Sequence, residues 1–447
     1  MITFIVLVFI IGYLAITLEH SLKIDKLVPA LIMMVLAWTA IAIGLDGFPN
    51  WFDSHNGRML DGFSSMLSEQ KQVLLENTLL HHFGKTSEIL IFLIGAMAIV
   101  ELIEYFNGFS TVKGFIKTKS RRTLLWVISI LAFFLSAIID NLTATIVLIT
   151  ILRKLLPENK DRIWYAGFII IAANAGGAWT PIGDVTTTML WIGKKVSTVK
   201  LIEYLVVPSI LCLAIPLIIG SFLPVFKGEF ENTEDKNPSK YSKLMLFLGL
   251  GMIVFVPIFK SITHLPPYLG MMFSFSIVAI TAEILKMKQS KSGLNVLATA
   301  EHHQSPTARA LSRVEMPSVL FFLGILMTVA ALESLGIIFN LGQEVQHVMS
   351  NEMFIFILGA ASAVIDNVPL VAASMGMFNF PMDEHIWHFI AFAAGTGGSM
   401  LIIGSAAGVV AMGMEKISFF WYLKKISWLA LIGYVAGYIF MLMFHSY

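Results

Sequence analysis

Two short runs of this sequence set a carboxylate and an amide side by side in apolar surroundings. They are SAIIDNLTATIVLITIL at Ser136–Leu152 and SAVIDNVPLVAASMGMF at Ser362–Phe378, with Asp140-Asn141 and Asp366-Asn367 at matching positions. An ionised side chain inside a bilayer costs about 3 kcal/mol on insertion scales, so such residues mark ion or proton pathways by default. The bland reading is a carboxylate that caps a hairpin turn, as Asp-Asn pairs do in loops. Repetition of the pair in equivalent apolar settings tips the balance toward ion or proton coupling.

Each pair is followed by a second irregular segment. NAGGAWTPIGD (Asn174–Asp184) parallels GTGGSMLIIGS (Gly395–Ser405), matching Gly176, Gly177 and Gly183 to Gly397, Gly398 and Gly404. Small residues with Trp179, Thr180 and Pro181 interrupt a helix, and the freed N–H and C=O groups survive in a bilayer only against protein or water. Oxygen donors are dense here: Asp140, Asn141, Thr143, Asn174, Thr180, Asp184, Asp366, Asn367, Ser399 and Ser405. Sodium, a hard cation, suits carboxylates, amides, hydroxyls and carbonyls by extension from hard divalent cations, with Asp140, Asn141, Asp366 and Asn367 as the expected Na+ ligands. No Lys, Arg or His lies in either Asp-Asn run or either broken segment, so an anion would rely on helix dipoles alone. A carboxyl group taken out of water holds its proton to higher pH, so Na+ and H+ can compete for Asp140 and Asp366. Asp184, Thr180 and Ser405 also read as caps of broken helix ends, and Asn141 and Asn367 as partners for hairpin-tip backbone. No catalytic residue and no cofactor is expected.

The elements that must carry these residues follow from composition. The chain has 447 residues, of which 57% are hydrophobic and only 13% charged, with a mean hydropathy of +0.80. Apolar runs long enough to span a bilayer recur throughout, which predicts a polytopic, all-α membrane protein. A net charge of +1 offers no basic face for nucleic acid. The single cysteine, Cys212, excludes a disulfide framework or a cysteine metal site. The opening Ile2–Ile16 lacks a basic lead and a small-residue cleavage site, so it reads as a first span.

The expected organisation is N-terminal scaffold spans with an external loop over 1–86, then a first repeat over 87–226 with a hairpin at 123–156 and a broken helix at 163–192. A cytoplasmic linker follows at 227–243, then a second repeat over 244–425 with a hairpin at 353–380 and a broken helix at 386–414, and a last span over 426–447. Basic residues orient it: Lys113, Lys117, Lys119, Arg121 and Arg122 precede the first Asp-Asn run, and Arg153, Lys154, Lys160 and Arg162 follow it. Both ends of that segment are therefore expected in the cytoplasm, which makes it a re-entrant hairpin. The second run lacks flanking Lys and Arg and is expected to enter from outside. Loops at His20–Lys26, Lys286–Arg313 and Glu415–Lys425 come out cytoplasmic, and both termini external. Upstream, Phe92–Glu104 parallels Phe321–Glu333, pairing Gly95 with Gly324 and Glu104 with Glu333. Two inverted-topology repeats, each a span, a re-entrant hairpin and a broken helix, are a transporter architecture with its site at the midplane. His81-His82 and His302-His303 are expected in loops away from that site.

These motifs, with the LEHSLKIDKLVPAL opening, resemble the NhaD-type sodium/proton antiporters of the ion-transporter superfamily over nearly the whole chain. The resemblance implies exchange of Na+ or Li+ for H+ at an inner membrane, with a mobile transport body that moves elevator-like against a homodimeric scaffold; the external termini of the charge threading would then be periplasmic. It carries the hairpin site onto Asp140, Asn141, Ser362, Asp366, Asn367 and Pro369. One departure stands out: Ser405 occupies the place of Asp184 in the second broken segment, which predicts a lopsided site. Two other readings compete. A carrier of a dicarboxylate or arsenite within the same superfamily is disfavoured by the acidic hairpin tips. An intramembrane aspartyl protease with Asp140 and Asp366 as its dyad lacks a G-x-G-D motif before either aspartate.

Overall fold

In a computed structural model of the chain, residues 1–17, 19–53, 58–114, 116–230, 240–291 and 305–444 are described. Among the described residues the regular structure is helical, apart from a two-residue antiparallel ribbon pairing Phe52–Asp53 with Arg58–Met59 and a single bridge between Ser120 and Glu229. Among the described residues, eight helices are long and apolar enough to cross a membrane. It is a multi-span membrane protein.

The helices sort by packing into two groups. Ile2–Thr17, Leu27–Gly44, Ser68–Tyr105, Lys240–Thr263, Pro267–Lys291 and Met316–Ser334 pack on one another. The other group holds the Asp-Asn segments, the broken helices, Thr198–Gly220 and Ser427–Phe444. They touch where Met316–Ser334 meets Asn367–Met377, where Ser68–Tyr105 meets Val185–Ile192 and where Lys240–Thr263 meets Arg121–Ile139. Members of the first group come from 1–86, 87–226 and 244–425 alike.

The first Asp-Asn segment is a helical pair, Arg121–Ile139 and Asn141–Leu155, joined by Asp140 alone. Ser120 starts it by accepting a hydrogen bond from the Thr123 N–H. The second is Asn351–Ala361 and Asn367–Met377, joined by the longer link Ser362–Asp366, with Ser350 capping the first arm through the Met353 N–H. Helix stops at Gly177 and restarts at Val185 in one half, and stops at Gly397 and restarts at Ala406 in the other.

Matched residues make matched contacts. Ser136 Oγ donates to Ala173 O at 2.6 Å, and Ser362 Oγ donates to Ala394 O at 2.9 Å. A Cβ on Gly176 would sit 2.1 Å from Phe133 O, and one on Gly397 would sit 2.1 Å from Gly359 O. In both halves, then, the backbone of the Asp-Asn segment rests directly on the broken helix, at a separation that only glycine permits.

Three readings of the loops change. The polar stretch before Glu88 is loop only as far as Leu67, because one helix runs from Ser68 to Tyr105 and carries His81 and His82 within it. Hydropathy registers only its apolar end, while Glu, Gln, Leu and Lys sustain helix without it. His302 and His303 lie outside the described residues. An amphipathic helix, Ile337–Val348, follows Met316–Ser334 where the sequence suggested none. Two of the basic residues that oriented the first hairpin also have an internal partner: Arg153 Nε and Arg162 Nε reach the fully buried Glu415 carboxylate at 2.7 and 2.8 Å, and Asn159 joins them at 2.8 Å.

Candidate functional site

Asp140 ends one hairpin arm and begins the next, with backbone angles of φ 93° and ψ 157°. Its carboxylate accepts the Thr143 N–H at 2.7 Å and the Thr143 hydroxyl at 2.9 Å. Thr143 is thus a support for Asp140. A non-glycine residue with these angles is strained, and such strain collects at functional sites.

The adjacent Asn141 turns inward to the broken helix. Its amide nitrogen donates to Asn174 Oδ1 at 3.0 Å and to Asp184 Oδ2 at 3.1 Å. Asn367, from the other hairpin, donates to the same Asp184 oxygen at 3.2 Å. The second Asp184 oxygen caps the restarted helix by accepting the Thr186 N–H at 3.0 Å. Asn174 continues the chain by donating to Ser405 Oγ at 3.0 Å, and Ser405 in turn accepts the Gly408 N–H. Asp184 and Ser405 hold equivalent cap positions with nearly identical extended backbones, φ −147° and −145°. One delivers a charge to the centre and the other a hydroxyl. The two matched cap positions thus differ in the side chain they present.

Asp366 is placed differently from Asp140. Its Oδ2 lies 3.0 Å from Lys26 Nζ, an ion pair with both side chains largely buried, and its Oδ1 accepts the Val368 N–H at 3.4 Å. A small cavity of about 70 Å3 is lined by Lys26, Asp140, Asn141, Asp184, Asp366 and Asn367 together with apolar side chains. It holds more than one water's worth of space, enough for a cation with some hydration. Beyond Met97 and Leu142, which line both spaces, lies a basin of about 780 Å3 bordered by Glu101, Glu104, Lys113, Thr143, Lys154 and Arg313.

The remaining expected residues make contacts between or within the irregular segments. Thr180 donates to Ala137 O at 2.6 Å, which ties the break to the hairpin tip. Ser399 donates to Thr396 O at 2.6 Å while its own carbonyl accepts from Tyr422. Ser362 is bound to Ala394 O, and Pro369 sits buried in the first turn of its helix, where a missing N–H costs nothing.

The residue that sequence reasoning missed is Lys26. The four irregular segments contain no basic residue, but the fold brings one in from the N-terminal helices. Its only signal was its place in LEHSLKIDKLVPAL at the foot of an apolar span, where a lysine reads as a loop marker.

The family model described as "Citrate transporter" (CitMHS) matches residues 5–387. Sodium/proton antiporter 1 of Arabidopsis thaliana is 42% identical over 439 residues, which cover 96% of this chain and 70% of that protein. The Na(+)/H(+) antiporter NhaD of Alkalimonas amylolytica is 30% identical over 450 residues, covering 96% and 88%. Among solved structures, the YdaH transporter of Alcanivorax borkumensis aligns with a TM-score of 0.58 over 92% of this chain and 97% of that one, at 11% identity. That likeness concerns the fold alone.

Proposed function

Because the chain belongs to the CitMHS family and, within it, to the NhaD-type sodium/proton antiporters, which are transporters and not enzymes, we propose that it exchanges Na+ for H+ across a membrane. The observation that carries this reading is the convergence of Asn141 and Asn367, one from each hairpin, on a single oxygen of Asp184 beside Asp140 and Asp366. Three carboxylates face one ammonium in a space of about 70 Å3. Such a site carries surplus negative charge, and either a hard cation or protons can relieve it. A carboxylate that binds Na+ cannot hold a proton on the same oxygens, so mutual exclusion at Asp140, Asp184 and Asp366 is sufficient for obligatory exchange. Li+, equally hard, is a second substrate on this reading.

The two packing groups support an elevator-like movement. The hairpins and broken helices, which carry every site residue but Lys26, travel as one body against the N-terminal helices and their partners. On this reading the scaffold is homodimeric, the membrane is a cell inner membrane with both termini periplasmic, and the two repeats are inverted. The anion-carrier alternative would have to place a multiply negative substrate among these carboxylates with only Lys26 to offset them.

The test uses everted vesicles that carry the protein, energised to form a pH gradient reported by a dye. Addition of Na+ should collapse the gradient, and Asp184→Asn should abolish the response in protein that still inserts. No response to Na+ at neutral or alkaline pH, or uptake of citrate without Na+-driven proton movement, overturns the assignment.

A further inference from the structure

Lys26 raises a question that the carboxylates alone do not. It stands immediately before the helix Leu27–Gly44, and its neighbour Asp25 already satisfies the Leu27 N–H at 2.9 Å. A cation at a helix N-terminus opposes the helix dipole, so Lys26 is not there to stabilise its own helix. Its ammonium instead lies 3.0 Å from Asp366 Oδ2 and 4.4 Å above the centre of the Phe321 ring. Lys26 and Phe321 belong to the packing group that lacks the hairpins, whereas Asp366 is on a hairpin. The pair therefore joins the two groups at the site itself.

Lys26 also lines two spaces. One is the site cavity with Asp140 and Asp184. The other, also of about 70 Å3, is lined by Tyr13, Glu19, Lys26, Asp366 and Ser405 among others. A further carboxylate, Glu19, thus borders a space that Lys26 and Asp366 also line.

We infer that Lys26 is a tethered cation that competes with Na+ for Asp366, and that Na+ binding transfers its ammonium from Asp366 to Glu19. The inference rests on the sodium/proton reading of the site. The exchange breaks one ion pair and forms another, with no covalent step and no change in the charge on Lys26. Its effect is to keep Asp366 neutralised when no ion is bound and to hold the hairpin to the N-terminal helices in that state. Na+ arrival releases the hairpin for movement. A buried carboxylate left with neither a cation nor a proton would be strongly unfavourable, so loss of one occupant favours arrival of another.

The experiment measures the Na+ dependence of exchange in vesicles for four variants alongside the wild type. Lys26→Gln removes the competitor, and the Na+ KM should fall by about tenfold, as expected for loss of one close opposing charge, with a smaller change in maximal rate. Lys26→Arg keeps the charge in a different shape, so its KM should fall less than that of Lys26→Gln. Glu19→Gln removes the alternative partner and should raise KM severalfold. The double variant Lys26→Gln/Glu19→Gln should match Lys26→Gln, because Glu19 acts only through Lys26. A purely structural ion pair would lower thermal stability and leave KM where it was. An unchanged or raised KM in inserted Lys26→Gln protein overturns the competition. A Glu19→Gln effect of the same size with and without Lys26 overturns the transfer. If Lys26→Gln fails to insert, Glu19→Gln alone decides, and an unaltered KM there is fatal. A wild type that shows no Na+/H+ exchange would refute the function and is told apart by that control.

Discussion

Asp184 Oδ2 is the atom on which the two hairpins agree, and its surroundings make the roles of the amides testable. Asn141→Ala and Asn367→Ala each remove one donor to a buried carboxylate and leave the other in place. Hydrogen bonds to charged groups contribute about 1.5–3 kcal/mol, so each substitution should weaken Na+ binding roughly 10- to 100-fold in a transport assay, with the protein still folded. A KM within about twofold of wild type would show that the amide only packs. Asp140 is tested through its backbone. With φ at 93° and ψ at 157°, it occupies a region that suits glycine. Asp140→Gly and Asp140→Ala should both lose exchange, but the glycine variant should be the more stable by about 1–3 kcal/mol in thermal or denaturant unfolding. Equal stabilities would remove strain from the account of this tip.

The hairpins depend on how closely they lie on the broken helices. Gly176→Ala sets a Cβ 2.1 Å from Phe133 O, a backbone atom that cannot swing aside. Gly84→Ala, on the long helix Ser68–Tyr105, meets nothing within 4 Å. The first should lower stability by several kcal/mol, about 3 or more, and reduce the yield of folded protein, as over-packing of a tight contact does. The second should be neutral or stabilising by about 0.5–1 kcal/mol, since alanine favours helix over glycine. Comparable losses in both would mean that the close approach carries no weight. The paired contacts of Ser136 and Ser362 place the same requirement on each half.

For the whole molecule, the basin of about 780 Å3 beside Thr143 and the opposite ends of the second hairpin provide a sidedness test. In a background with the buried Cys212 replaced, cysteines at Ser110 and Thr150, which line that basin, should react with a membrane-impermeant reagent from one side only. Cysteines at Asn351 and His385 should react from the other. Labelling of all four from the same side would defeat the inverted arrangement of the hairpins. Addition of Na+ should change the reactivity of Thr143→Cys if the site alternates between the two faces, and unchanged reactivity would argue for a static site.

Local chemistry made much of this protein legible before any fold was known. Carboxylates in apolar runs are costly enough to stand out, and breaks rich in glycine and proline announce themselves by residue type. The Asp-Asn tips, the two interruptions and the helical class therefore followed from the chain alone, and so did the asymmetry of Asp184 and Ser405. Other features depended on which distant residues share a space. Lys26 looked like a loop marker because its partner is far away in sequence, and Arg153 and Arg162 read only as orientation signals because Glu415 belongs to another element. The polar half of Ser68–Tyr105 read as loop because hydropathy weighs burial in lipid and not helix formation. Sequence displays the cost of each group, whereas only the tertiary structure decides what compensates it. The convergence of Asn141 and Asn367 on Asp184, with Asp366 paired to a lysine, belongs to that second kind.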